Sequence, residues 1–127
     1  MLLLTDSTSQ QLFVALISPD GIVTQRVCDI QRAHDRNINK LTAGLIERAD
    51  AFAVVTGPGS WTGSRVGVVA VKAYALATGK PVIALHAAKS REELVAEARR
   101  KYKAGEFTSA RDLVPHYDAE FKVTLKK

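Results

Sequence analysis

Ala51-Phe52-Ala53-Val54-Val55-Thr56-Gly57-Pro58-Gly59-Ser60-Trp61-Thr62-Gly63-Ser64-Arg65-Val66-Gly67 is the stretch whose reading decides the fold. Ala51 to Thr56 is an apolar run of strand length that feeds a glycine-rich turn instead of a hairpin. A long helix with small and apolar residues is predicted to follow as far as Thr78, where Gly79 stops it and Lys80-Pro81 restarts the chain as a strand, Val82 to Leu85. Strand, helix and strand in that order imply a crossover between parallel neighbours.

Toward the N-terminus the pattern changes. Leu2 to Leu4 reads as a buried strand, Asp6-Ser7-Thr8-Ser9 as a polar turn, and Leu12 to Ile17 as a second apolar strand. Pro19-Asp20-Gly21 is a turn signal before Ile22 to Cys28, which is rich in β-branched residues, so the three strands form an antiparallel meander. From Asp35 to Ala49 the period becomes helical, with Ile38, Leu41, Leu45 and Ala49 on one stripe. Toward the C-terminus, Ser90 and Glu93 make a capping box for a helix over Arg91 to Ala104, closed by Gly105 and packed through Leu94, Val95, Ala98 and Tyr102. Leu113 to Leu125 alternates enough for a short strand, with Pro115 placing it at an edge or leaving it unpaired.

The length of 127 residues fits one domain. With 46% hydrophobic and 24% charged residues, the composition points to neither disorder nor a disulfide scaffold. Cys28 is the single cysteine, which excludes an intramolecular disulfide and suits a reducing compartment. No signal-peptide core is read at Met1 to Asp6, and Val66 to Gly79 is too short to span a bilayer, so a cytoplasmic protein without membrane contact is expected. A net charge of +5 would assist an encounter with RNA, but Arg99, Arg100, Lys101, Lys103 and the terminal Lys126 and Lys127 read equally as a solvated helix end and tail.

Little catalytic machinery is legible. The Gly57 to Gly63 turn could present backbone N–H groups to an anion, with Asp6, Ser7, Thr8, Gly57, Gly59 and Ser60 as the candidate phosphate-binding set. It fits no standard code. A Walker loop would need its glycines one residue closer and Lys-Ser in place of Ser64-Arg65, and Thr62 occupies the third glycine of the dinucleotide pattern. His34, His86 and His116 are far apart, with no metal-binding pair, and Ser60 lacks the glycine at position 62 that a nucleophile elbow needs. No catalytic residue, metal site or cofactor is therefore assigned. The helix after the turn carries a different signal: between Val66 and Ala77 only Lys72 is charged, so more of its circumference is apolar than one sheet can cover. A partner surface or the neighbouring helices would have to cover the rest.

The motif Gly57-Pro58-Gly59-Ser60-Trp61-Thr62-Gly63-Ser64-Arg65-Val66-Gly67 resembles the signature of the TsaB (YeaZ) family. Leu4-Thr5-Asp6-Ser7-Thr8-Ser9 is similar to that family's opening strand and turn, Lys80-Pro81-Val82 continues the match, and Leu94 to Gly105 with Leu113-Val114-Pro115-His116-Tyr117 resembles its last helix and closing segment. The resemblance implies an actin-like, ribonuclease H-like α/β lobe with a mixed five-stranded sheet, in which residues 1–87 form the lobe and 90–127 a remnant helix and tail. A second lobe, expected near His86 to Ser90, is read as deleted. The implied role is a non-catalytic scaffold that pairs with a TsaD-like enzyme in threonylcarbamoylation of the tRNA adenosine beside the anticodon. Homodimerisation in isolation, a TsaE-like ATPase as further partner, tRNA contact only through the complex, and weak ATP or ADP binding at a partner interface belong to the same expectation. The implied interface lies on the helices Asp35 to Ala49 and Val66 to Thr78, through Ile38, Leu41, Leu45, Arg65, Val66, Val69, Ala70, Ala73, Tyr74 and Ala77. Two alternatives stand beside it. One is a small ATP-binding or phosphotransfer protein using Asp6 and the glycine-rich turn; the other is a self-associating dimer without an enzyme partner.

Overall fold

The computed structural model describes residues 1–9, 11–29, 34–58 and 61–114, without the side chains of 29, 34–37 and 61–64. Three strands run as the meander requires: β1 (Leu2–Asp6), β2 (Gln11–Ser18) and β3 (Gly21–Asp29). Then come α1 (His34–Thr42), β4 (Ala51–Gly57), α2 (Trp61–Thr78), β5 (Val82–His86), α3 (Arg91–Ala104) and a short 3₁₀ turn, Ala110–Asp112. The sheet order is β3-β2-β1-β4-β5. β1 pairs antiparallel with β2 and parallel with β4, and β4 pairs parallel with β5, so β1 is the seam between meander and crossover.

Alternation along the strands divides the core into two layers. Leu4, Phe13, Ala15, Ala53 and Ile83 point to the side covered by Leu94 and Ala98 of α3. Leu3, Val14, Phe52 and Val54 point to the other side, where Val68, Val71 and Ala75 of α2 cover them together with Leu45 and Leu113. Every residue of β4 is buried, as a strand sandwiched between two helical layers must be. At about 1.5–3 kcal/mol for each fully buried large aliphatic side chain, these two layers dominate the favourable side of folding.

The edges are managed differently. β5 is closed by the segment after α3, since the Thr108 N–H donates to the Val82 carbonyl at 2.7 Å. Among the described residues nothing pairs with the outer edge of β3, and the strand carries a bulge: Leu16 pairs with Thr24 but Ile17 pairs with Ile22, leaving Val23 extra. A bulge twists an edge strand and weakens it as a template.

One element departs from the sequence reading. The Asp35 to Ala49 stripe is buried as expected at Ile38, Leu45 and Ala49, but the helix ends at Thr42. Thr42 Oγ1 turns back to the Ile38 carbonyl at 2.8 Å, Gly44 sits at φ 79°, and Leu45 and Arg48 donate three residues back, to the Thr42 and Leu45 carbonyls. A glycine in the left-handed region stops an α-helix, so the final turns before β4 continue as tighter turns with the same side facing in. The capping prediction for α3 holds: the Glu93 N–H donates to Ser90 Oγ at 3.1 Å, and Gly105 takes φ 70°. The tail from residue 115 lies outside the described residues, as do Gly59 and Ser60.

Candidate functional site

The β4–α2 junction and the outer side of α2 are where the sequence placed both candidate chemistries. β4 runs to Gly57, which has φ 132°, a conformation open to glycine alone without strain. Its carbonyl accepts from the Ala87 N–H at 2.8 Å, tying the turn to the end of β5. The helix begins at Trp61, inside the stretch read as turn, so the second half of the glycine-rich motif is the first turn of α2.

Gly67 explains its own identity. Its N–H donates to the buried Ser7 Oγ at 3.0 Å, and a Cβ built on it would lie 2.4 Å from that oxygen and 3.7 Å from Val54 Cγ2. Only a residue without a side chain lets α2 approach the β1–β2 turn this closely. Asp6 is engaged within the same turn, accepting from Thr8 N at 2.9 Å and Thr8 Oγ1 at 2.6 Å, an Asx-type closure. Of the six candidate phosphate-binding residues, the structure thus brings Asp6, Ser7 and Thr8 together near the start of α2, places Gly57 at the end of β4, and leaves Gly59 and Ser60 outside the described residues. Nearby, Thr5 Oγ1 is buried, with no hydrogen-bond partner among the described residues. No three His, Cys, Asp or Glu side chains among the described residues come together as metal ligands would.

The interface residues divide into three groups. Ile38 and Leu45 are 1% and 2% exposed, so they belong to this chain's own core and offer nothing to a partner. That is a correction to the expected interface, and its cause is physical: Ile38 of α1 is spent on Leu12, and Leu45, in the turns after α1, is spent on the α2 layer. Leu41, Val66, Ala70 and Tyr74 are half-buried where α1 meets α2, and Tyr74 binds the two helices through Asn39 Oδ1 at 2.9 Å and Thr42 Oγ1 at 3.0 Å. Burial pushes its hydroxyl pKa up, against the smaller opposing effect of the bond with Thr42. Arg65, Val69, Ala73 and Ala77 are exposed. Sequence reasoning missed Leu76, which at 69% exposure is the most open large apolar side chain among the described residues, beside Val69 at 58%. Helical spacing from Val69 and Ala73 would have found it. The outcome is an apolar stripe, Val69, Ala73, Leu76 and Ala77, on the side of α2 that faces away from the sheet.

A sheet of order 3-2-1-4-5 with one antiparallel seam, layered between α1 and α2 on one side and α3 on the other, defines an α/β lobe of the ribonuclease H-like, actin-like class. A family model described as "TsaD: tRNA N6-adenosine threonylcarbamoyltransferase" matches residues 20–104, and the chain belongs to that family. Among solved structures it is similar to YeaZ from Pseudomonas aeruginosa at 26% identity and a TM-score of 0.59, covering 67% of this chain and 44% of that one. A second Pseudomonas aeruginosa structure, an uncharacterized protein with similarity to peptidase YEAZ, matches at 27% identity and a TM-score of 0.62, covering 80% of this chain and 47% of that one. The chain therefore spans under half the length of either, and the TsaB (YeaZ) resemblance read from the glycine-rich motif is borne out. Comparison with curated proteins gives no match. No helix among the described residues is long and apolar enough to cross a membrane.

Proposed function

We propose that the chain acts in tRNA threonylcarbamoylation as a non-catalytic subunit, pairing with a TsaD-like enzyme and raising its activity. The observation that carries this reading is the exposed stripe Val69, Ala73, Leu76 and Ala77, which lies within the family-matched residues 20–104. Apolar side chains in a row on a helix lose contact with water only if another surface covers them, and small residues at Ala73 and Ala77 let a second helix approach closely. Val66, Ala70 and Tyr74 lie under α1 in this reading and fix the angle at which the stripe is presented, while Arg65 flanks it. The anion-binding alternative gains no specific support, because Asp6 and Ser7 are already engaged in holding the turn and the start of α2 together.

The same stripe would serve a homodimer in isolation, and the enzyme partner would displace it. Contact with tRNA and with a TsaE-like ATPase, and any weak ATP or ADP binding, belong in this reading to the assembled complex, in the cytoplasm. The test is a titration of the chain against the TsaD-like enzyme of its own cell with tRNA as substrate. Modification should be negligible with the chain alone and should rise to saturation as it is added to the enzyme. A rate that stays flat across the whole titration overturns the proposal.

A further inference from the structure

Five strands at about 4.8 Å spacing make a sheet close to two helix diameters wide, so each face takes two helices to cover. The α1–α2 face has two. Among the described residues the other face has one, α3, whose buried Leu94 and Ala98 sit in the layer over β1, β4 and β5. The uncovered half is β3. Ile22 pairs with the buried Ile17 and Val27 with the buried Phe13, so their side chains share the α3 face, yet they are 46% and 42% exposed, and the bulged Val23 is 44% exposed. The opposite side of β3 is used within the chain: Arg26 donates to the Leu41 and Ala43 carbonyls at 2.9 Å, and Cys28 packs against Leu12 and Ile38.

The contacts that α3 makes toward this strip run through two arginines, with the exposed Glu92 beside them on the helix surface. Arg91 lies over the Phe13 ring at 4.7 Å and donates to Gln11 Oε1 at 2.6 Å, and Arg99 donates to the Pro19 carbonyl. Half-buried Val95 lies one helical turn from each of them. At the Pro19 end, an apolar cavity of about 70 Å³ opens between Ile17, Pro19, Arg99 and Tyr102. These features make a trough with a guanidinium wall on α3 and a floor on β3 that is apolar at Ile22 and Val27, with the exposed Gln25 between them.

We infer that this trough receives an amphipathic helix of a partner protein, lying alongside α3 with apolar residues on Ile22 and Val27 and carboxylates toward Arg91 and Arg99. Charge selects this occupant over a second copy of the chain, because a two-fold pairing of this face would bring the Arg91 and Arg99 wall of one copy against that of the other. The site lies on the opposite face of the sheet from the α2 stripe, so it is independent of the pairing proposed above.

The experiment uses the full chain and two lactam-stapled helices of about 14 residues, the length of α3. They share one leucine stripe and are flanked by glutamate in one and by lysine in the other. The glutamate helix should bind about tenfold tighter by fluorescence anisotropy at low salt, as expected of two rim charge pairs. Arg91→Glu with Arg99→Glu should reverse the preference, a result that a misfolded variant cannot produce. Val27→Asp should weaken the glutamate helix at least about tenfold, while Leu76→Glu should leave it unchanged. Equal affinity for the two helices, no binding of either, or a homodimer abolished by Val27→Asp each overturns the inference.

Discussion

Replacing Gly67 by alanine tests whether the signature glycine is a packing device. The new Cβ would stand 2.4 Å from Ser7 Oγ and 3.3 Å from Ser7 Cβ, so Ser7 or α2 must move. Overpacking a tight core site costs about 1–3 kcal/mol. Pushing Ser7 away also loses its hydrogen bond from the Gly67 N–H, worth about 1 kcal/mol net. Alanine is favoured over glycine inside a helix by about 1 kcal/mol, which offsets one of these terms. The net expectation is a destabilisation of roughly 1–3 kcal/mol, read as a lower urea midpoint at unchanged slope. Ser7→Ala removes the nearest atom and leaves the 3.3 Å contact to Ser7 Cβ and the ordinary 3.7 Å one to Val54 Cγ2, so in that background Gly67→Ala should be close to neutral. The double-mutant cycle should therefore show coupling of about 1–2 kcal/mol. Gly67→Ala at or above wild-type stability, or a cost that persists undiminished in Ser7→Ala, would refute the close-approach argument.

Ala73→Glu and Leu76→Glu should each leave the urea midpoint within about 0.5 kcal/mol of wild type, and each should shift the saturation of the TsaD-like enzyme's activity to higher chain concentration without lowering its plateau. Sedimentation of the free chain should show the homodimer weakened by the same two changes. Thr5→Val should stabilise the fold by about 1 kcal/mol in urea, because a buried hydroxyl with no partner among the described residues is replaced by a methyl. Tyr74 carries a raised pKa, so its contribution to stability is complete below the ordinary tyrosine pKa near pH 10 and is lost as pH rises through the folded value; Tyr74→Phe should flatten that alkaline decline in thermal scans. Ser90→Ala should cost about 1 kcal/mol by removing the acceptor of the Glu93 N–H.

Local rules carried the sheet and α3. Pro19-Asp20-Gly21 forces a reversal, and an apolar run and a β-branched run flank it, so β2 and β3 had one sensible pairing. Ser90, Glu93 and Gly105 mark both ends of α3 by backbone chemistry that does not depend on the rest of the molecule. The failures came where tertiary contact decided. Periodicity from Asp35 to Ala49 reported which side faces inward, which was right, and could not report that Gly44 converts the helix to turns while that side stays buried. The same periodicity marked Ile38 and Leu45 as apolar, but a partner's helix and the chain's own α2 leave the same trace in a sequence. Nothing in the sequence announced that Ser7 would meet Gly67, sixty positions away, because that contact exists only once β1 and β4 are neighbours.

That contact also bears on what the glycine-rich motif is for. A loop that cradles phosphate keeps its N–H groups turned toward open space. Here the Gly57 carbonyl at one end of the motif accepts from the Ala87 N–H, and the Gly67 N–H at the other end donates to Ser7 Oγ. Both ends are thus fastened just past the ends of neighbouring strands, β5 and β1, which fixes the depth and rotation of α2 on its core. With Val68, Val71 and Ala75 committed inward, helical geometry leaves Val69, Ala73 and Leu76 no orientation except outward. A motif that fixes one side of a helix fixes the other side as well. The stability cost expected of Gly67→Ala should therefore be accompanied by a loss of partner affinity through the displaced stripe, although Gly67 is itself buried under Ser7. In the Ser7→Ala background, where the approach is relieved, Gly67→Ala should leave both stability and partner affinity close to those of Ser7→Ala alone. Stability kept there while affinity is lost would separate the two and would show that the motif acts on the partner through some other route than the seating of α2.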